Sequence, residues 1–311
     1  MAILVAADFN ADEWAAWWPA LVAAFPGEHL VRNAHDAARA DIDVALVANP
    51  PAGAVQGLPR LRFIQSLWAG VDRLLLDASV PAEIPIARMV DPRMNAAMAE
   101  TALWAVIGLH RDFFTYAVQQ RTALWRTHAQ RRADEVGVAV LGLGQMGRAA
   151  AQGLARHGYR VCGWSAHQAA VDGVTTSSGD PALRDLLADA QVVVNLLPLT
   201  PATRGLFNAA RLAQMRSGAS LVNLARGAHV VEADLLAALD NGHLRHAVLD
   251  TFDTEPLPTD HPFWRHPKVS LLPHVAAQTD PRSAASIAAV NVRAFRAGLA
   301  PAHLVDRARG Y

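Results

Sequence analysis

The sequence predicts an α/β protein made of two doubly wound parallel-sheet domains, and three observations carry that prediction. Short apolar runs alternate with helical patterns from the N-terminus onward, and the alternation restarts after a polar stretch at residues 126–135. A turn with three glycines stands between the first strand and the first helix of the second series. A chain of 311 residues is long enough to give each of two medium domains its own core.

Composition narrows the partners. With 52% hydrophobic and 18% charged residues, the chain has the balance of a globular protein rather than a disordered one. Lys plus Arg equals Asp plus Glu at 28 each, which argues against nucleic acid as a partner, because phosphate binding usually leaves a basic excess. The single cysteine, Cys162, excludes an intramolecular disulfide and sits in an apolar run, as a buried core residue would. The N-terminus from Met1 to Asp8 lacks the basic start and long apolar stretch of a signal peptide, and no run suits a bilayer. A cytoplasmic protein without a membrane partner is the expectation.

In chain order, residues 3–6, 44–48 and 62–66 read as strands ending in polar or turn residues. Residues 11–25 read as a helix, capped by Asn10 or Asp12, with Trp14, Trp17, Trp18 and Leu21 on one face. This tryptophan stripe reads as core or subunit contact, not as a ligand cage. One long helix is expected from Pro92 to Arg121, with Pro92 in its first turn. The second series places strands at 136–141, 160–164, 192–196, 220–224, 246–249 and 269–272, with helices such as 147–157, 208–216 and 231–241 between them.

The glycine turn points to a dinucleotide. Gly142, Gly144 and Gly147 form G-x-G-x-x-G directly after a strand and directly before a helix. Gly142 permits the tight turn, Gly144 lets the backbone approach a pyrophosphate, and Gly147 allows close helix–strand packing. The helix N-terminus then offers unpaired N–H groups to the negative charge. The next strand should end in an acid if the cofactor is NAD, because that carboxylate takes the ribose hydroxyls. Ser165 stands there instead, and no acid appears before Asp172. A missing carboxylate admits the extra phosphate, so NADP(H) is the expected cofactor and NAD(H) the alternative. No arginine follows Ser165, which leaves Ser165, His167 and Gln168 as the nearby polar candidates.

Three strand ends carry the chemistry: Asn223-Leu224-Ala225-Arg226-Gly227, the run from Leu249 through Asp250 and Glu255 to Pro258, and Leu272-Pro273-His274-Val275-Ala276-Ala277. Ligands of open α/β sheets bind beyond the carboxyl ends of the strands, so an Arg, a Glu and a His can converge there. Arg226 has the planar fork that grips a carboxylate and a keto oxygen. His274 can donate a proton to a developing alkoxide. A carboxylate such as Glu255 beside it would favour the imidazolium by about 1.4–4 kcal/mol. Singly, each has a bland reading as an ion pair, a satisfied histidine or a loop carboxylate. Together, downstream of a dinucleotide turn, they read as a reductase site.

These stretches resemble the D-2-hydroxyacid dehydrogenase family over nearly the whole chain. The tail Val305–Tyr311, with residues 223–227, is similar more narrowly to the glyoxylate/hydroxypyruvate reductase A group. The resemblance implies a Rossmann dinucleotide-binding domain over residues 101–281. It also implies a discontinuous, flavodoxin-like substrate domain over residues 1–100 and 282–311. The implied reaction is hydride transfer from NAD(P)H to a small 2-keto acid, glyoxylate or hydroxypyruvate, giving the 2-hydroxy acid. Arg226, Glu255 and His274 become the catalytic set, and Asp250 helps to hold the nicotinamide carboxamide. The segment Leu197-Pro198-Leu199-Thr200-Pro201-Ala202-Thr203 lies along the adenosine. Gln145, Met146, Trp164, Ala225 and Ala276 join the cofactor contacts, together with His274. The loop from Leu67 to Asp72 holds the substrate carboxylate on backbone N–H groups at Trp68, Ala69 and Gly70. A homodimer, and a cleft that closes to exclude water, are also implied.

Two departures stand out. The reductase group tends to have a small residue where Trp68 stands and an aromatic near Ala48-Asn49. Trp68 either replaces that bulk or reshapes the pocket for another side chain. Among alternatives, a larger keto acid such as phenylpyruvate keeps the family. Formate dehydrogenase places an amide where Glu255 stands, and phosphoglycerate dehydrogenase carries a regulatory domain. A dinucleotide-sensing binding protein would bind cofactor without turnover. Hydrolase readings lack H-E-x-x-H and G-x-S-x-G. No metal is expected, and His243, His246, His261 and His266 read as structural or solvent-facing.

Overall fold

Seven consecutive buried residues, Ile42–Ala48, form the central strand β3 of the first sheet. A run that is apolar on both faces, except for Asp43, requires helices on both sides, which is the signature of a parallel sheet. The structure, a computed structural model, describes residues 1–32 and 39–310. Tyr311 of the expected tail motif lies outside the described residues. The chain divides into two units, Met1–Arg93 with Thr279–Tyr311, and Met94–Gln278.

The first unit contains β1 (Ala2–Ala7), α1 (Ala11–Ala24), β2 (His29–Val31), β3, β4 (Phe63–Ser66), α2 (Asp72–Leu76), β5 (Ile86–Ala87) and the last helix of the chain, α9 (Pro281–Arg296). Among the described residues its five parallel strands run in the order β2-β1-β3-β4-β5, the flavodoxin-like arrangement. Asn10 caps α1 through a capping box with Glu13, so the cap falls on the first of the two expected residues. Helix α9 is fastened by buried polar groups. Asn291 Nδ2 donates to Gln65 Oε1 of β4 at 2.8 Å, and Arg296 forks onto Asp43 at 2.7 and 3.0 Å.

The second unit contains α3 (Pro92–His110) from Met94 onward, α4 (Phe113–Arg121), β6 (Gly137–Leu141), α5 (Gln145–Arg156), β7 (Arg160–Ser165), β8 (Thr175–Ser178), α6 (Asp180–Asp189), β9 (Val192–Asn195), α7 (Ala209–Ala213), β10 (Ala219–Asn223), α8 (Glu232–Asp240), β11 (Leu244–Leu249) and β12 (Val269–Leu271). Its seven described strands are all parallel, in the order β12-β11-β10-β9-β6-β7-β8. Counted from β6, that is the Rossmann order extended by one strand, and the winding reverses between β6 and β9. A crevice therefore opens at the carboxyl ends of those two strands. Gly147, Ala150, Ala151 and Leu154 form the buried face of α5.

Two expectations are corrected. The single helix over 92–121 is broken into α3 and α4, with Asp112 in the left-handed region at φ 62°. Asp112 is buried and ion-paired to Arg245, and the chain doubles back so that the Phe114 ring lies on Gly108. A Cβ at Gly108 would stand 2.6 Å from that ring, so glycine is what lets the two helices meet. Cys162 is only half-buried, because β7 lies beside the edge strand β8, and burial pushes its thiol pKa up.

Candidate active site

The glycine turn at the switch point is forced by backbone approach. Gly142 sits at φ 96°, and a Cβ there would come within 2.5 Å of the Leu196 carbonyl across the crevice. Gly147 closes the turn, since its Cβ would stand 1.7 Å from the Gly142 oxygen. Gly144, the N-cap of α5, has no atom within 4 Å of the position a Cβ would take. The turn thus has clearance where a pyrophosphate needs it. Gln145 and Met146 follow in the first turn of α5, whose leading N–H groups have no intrahelical partner. These features fit a dinucleotide.

Other expected cofactor residues sit in the support of the site. Trp164 is buried, gives its indole N–H to the Gly179 carbonyl at 3.0 Å, and takes the Gly142 N–H on its own carbonyl at 2.8 Å. Its work is to fix the turn. The Ser165 hydroxyl donates to the His167 carbonyl. Along the 197–203 segment, Thr203 Oγ1 accepts from Thr200 N–H at 2.8 Å and donates to the Pro198 carbonyl at 2.7 Å. Leu197 N–H donates to Asn195 Oδ1 at 3.3 Å.

Beneath the ends of β9 and β10 lies a fully buried polar cluster that the sequence reading did not pick out. Asn195 Nδ2 donates to Asn223 Oδ1 at 2.9 Å and lies 3.0 Å from His229 Nδ1. His229 Nε2 faces the Pro198 carbonyl at 3.3 Å, so these partners assign its proton to Nε2 and leave Nδ1 as acceptor. Asn223 Nδ2 donates to the Arg226 carbonyl at 2.9 Å, and Ala225 N–H donates to Asn223 Oδ1 at 3.4 Å. One cluster holds both the 197–203 segment and the backbone of Arg226. Gly227 adds a further constraint. Its Cβ would fall 1.8 Å from the Phe252 carbonyl carbon, so only glycine lets the Arg226 strand end meet the loop that carries Glu255.

That loop presents the carboxylate. Glu255 Oε1 accepts the Phe252 N–H at 2.9 Å, and Oε2 accepts from His274 Nδ1 at 2.8 Å. Burial pushes the Glu255 carboxyl up. The hydrogen bonds from His274 and Phe252, with the charges of His274 and Arg226, outweigh it and leave the pKa below the ordinary value. His274 sits in the left-handed region at φ 55°, an uncommon place for a residue with a Cβ. Its conformation is held by Asp250, whose carbonyl takes the His274 N–H at 2.9 Å. The Asp250 carboxylate takes the N–H groups of Val275 and Ala276 at 2.7 and 3.1 Å. Burial raises the Asp250 pKa, against the pull of those two N–H groups. Asp250, expected beside the nicotinamide, is thus also the clamp of the histidine turn.

Arg226 is half-buried, with Nη1 donating to the Ala225 carbonyl at 2.7 Å. With Nδ1 engaged by Glu255, His274 keeps Nε2 for an exchangeable proton. The four other histidines weighed in the sequence are tied down: His243 to the Leu212 carbonyl, His246 to Ser270, His261 to Glu232 and His266 to Asp240.

The loop at 68–70 belongs to the first unit. Trp68 N–H donates to Ser66 Oγ at 3.1 Å, so this donor is already used. The N–H groups of Ala69 and Gly70 have no acceptor among the described residues. The Trp68 indole packs edge-on against Trp17 and Phe9, with centroids 5.4 and 5.9 Å away. Arg32 lies over Trp14 and Trp18 at 4.7 and 4.2 Å. Trp17 of the tryptophan stripe, together with Phe9, is therefore the footing of Trp68.

Residues 103–276 match the family model described as the NAD binding domain of D-isomer specific 2-hydroxyacid dehydrogenase. A glyoxylate/hydroxypyruvate reductase A of Serratia proteamaculans is 40% identical over 308 residues, with 97% of each chain covered. The crystal structure of a D-isomer specific 2-hydroxyacid dehydrogenase from Xanthobacter autotrophicus, in complex with NADPH and MES, is 41% identical. It superposes with a TM-score of 0.93, covering 100% of this chain and 99% of that one. An NADPH-dependent glyoxylate/hydroxypyruvate reductase from Sinorhizobium meliloti, in complex with NADP and sulfate, gives a TM-score of 0.93 at 33% identity, over 100% and 99% of the two chains.

Proposed function

The chain belongs to the D-isomer specific 2-hydroxyacid dehydrogenase family, and from that premise we propose that it reduces a small 2-keto acid, glyoxylate or hydroxypyruvate, with NADPH. The observation that carries the reading is the Glu255–His274 pair, set at the carboxyl end of a sheet whose switch point holds an open glycine turn. Bound NADPH would supply the hydride. The chain's own residues do the rest. Arg226 grips the substrate carboxylate and polarises the keto oxygen. His274 gives the proton on Nε2 to that oxygen as negative charge develops, while Glu255 holds the proton on Nδ1 and stabilises the imidazolium. Gly142, Gly144 and Gly147 admit the pyrophosphate to the start of α5. Ala69 and Gly70 offer N–H groups to the carboxylate, and Trp68 above its aromatic footing restricts side-chain size.

No described helix is long and apolar enough to cross a membrane. A cytoplasmic setting and a homodimer are part of the same proposal. Trp104, Phe113, Leu124 and Trp125 are exposed, Trp125 to 97%, and a second copy of the chain is the partner assigned to cover them. Light scattering at increasing protein concentration tests the dimer. The functional reading is tested by NADPH oxidation with glyoxylate, hydroxypyruvate, pyruvate and phenylpyruvate. Rates falling as the side chain grows support it. Phenylpyruvate as the preferred substrate would move the assignment and make Trp68 part of a larger pocket.

A further inference from the structure

We propose that Arg148 reads the 2′-phosphate of the cofactor, a role that rests on the NADP(H) reading above. By sequence, the end of β7 has neither an acid to exclude the phosphate nor a base to hold it, since Ser165 is followed by Ala166, His167 and Gln168. The fold brings the missing cation from another element. Arg148 follows Gly147 in α5, so it leaves the helix beside the glycine turn, and its guanidinium donates from Nη1 to the carbonyl of Ala170.

Ala170 ends the loop that leaves β7 at Ser165. That loop is held in place by Ser165 Oγ donating to the His167 carbonyl and by Thr176 Oγ1 donating to the Ala169 carbonyl at 2.6 Å. The loop and the start of α5 are thus bridged by a cation, next to the strand end where the adenine ribose of a dinucleotide sits in a sheet of this order.

The state of that cation suits a phosphate. Arg148 is half-buried and has no carboxylate partner among the described residues. The bond to Ala170 uses one of five N–H donors, so the planar fork keeps donors for an oxyanion. No acid lies between Ser165 and Val171 to compete for it or to repel the incoming charge. His167 and Gln168 are exposed, and their side chains make no hydrogen bond among the described residues. Neither is pre-positioned as Arg148 is.

The bland alternative is that Arg148 only braces the loop, and binding separates the two roles. Affinities of the wild type, Arg148→Ala and Arg148→Lys are measured by calorimetry for NADPH, NADH, 2′,5′-ADP and 5′-AMP. Each pair differs by the 2′-phosphate. Arg148→Ala should weaken NADPH and 2′,5′-ADP by roughly 10–100-fold, the worth of a charge-assisted hydrogen bond, and leave NADH and 5′-AMP unchanged. Arg148→Lys should recover part of the loss, because charge is kept and the fork is not. Added salt should shrink the wild-type preference. An unchanged NADPH-to-NADH ratio in Arg148→Ala, or an equal loss for both cofactors, overturns the proposal and leaves the NADP(H) reading standing. A wild type that binds NADH as tightly as NADPH overturns the NADP(H) reading and the proposal with it.

Discussion

Replacing Glu255 by Gln changes almost no volume and removes one acceptor from a site where both are used. Oε1 takes the Phe252 N–H at 2.9 Å and Oε2 the His274 Nδ1–H at 2.8 Å. In the amide one of these oxygens becomes an NH2 group that faces another donor. A charge-assisted hydrogen bond is worth about 1.5–3 kcal/mol when intact. The two side chains are 50% and 36% exposed, so water screens the pair and the effect belongs at the low end. About 1–2 kcal/mol translates to a roughly 5–30-fold fall in turnover. The pH dependence carries the sharper sign. Because the Glu255 pKa lies below its ordinary value, the carboxylate's contribution is complete above the unfolded value and lost only as pH falls through the lowered folded one. Around neutrality the carboxylate is therefore charged, and its bond to His274 is intact there. The wild type should therefore lose this contribution only on the acid side, and Glu255→Gln, which has no carboxylate to protonate, should lack that acid limb. The assay is kcat and KM for NADPH-dependent reduction of hydroxypyruvate across pH, with NADPH affinity measured alongside. A Glu255→Gln enzyme with wild-type turnover and an unchanged acid limb would refute the pairing as a proton-holding device.

Two further outcomes are expected. Gly144→Val should fold normally, because nothing lies within 4 Å of the new Cβ, yet lose dinucleotide affinity by at least about tenfold, since the side chain fills the clearance above the turn; unchanged NADPH binding by calorimetry would count against that placement. Burial, with Arg245 beside it, holds His246 down at about 4, so no cost exists above the ordinary histidine value, and as pH falls below it the unfolded chain gains a proton that the fold refuses. That coupling costs about 3 kcal/mol of stability by about pH 4, and urea unfolding of His246→Gln should show a flatter acid limb, whereas an identical slope would contradict it.

The interior of both sheets was legible because β1, β3, β6, β9, β10 and β11 are apolar runs with little polar interruption. The edge strands β2 and β5 were not, since they are only three and two residues long, and β8 was not, since Thr175–Ser178 has no apolar pattern at all. The break between α3 and α4 escaped periodicity because its cause, the Asp112–Arg245 pair and the Phe114 ring on Gly108, joins residues distant in sequence or in turn. At the site, residue types at strand ends pointed to Glu255 and His274. What supports them did not show: the Asp250 carboxylate under Val275 and Ala276, the Asn195–Asn223–His229 cluster, and Gly227 against Phe252. Each is a polar or steric pairing between segments that only the fold brings together. Arg148 is the same kind of case, a cation on the helix for a need that arises at the neighbouring strand.

Whether His274 delivers the proton for NADPH-dependent keto-acid reduction is decided by NADPH consumption by the wild type and by His274→Ala on hydroxypyruvate and glyoxylate. The expected result is ready turnover by the wild type, a roughly 10²–10⁴-fold slower variant, and NADPH affinity largely unchanged between them. Equal turnover by the two proteins would contradict that role of His274, and so would tight NADPH binding by a wild type that reduces neither acid.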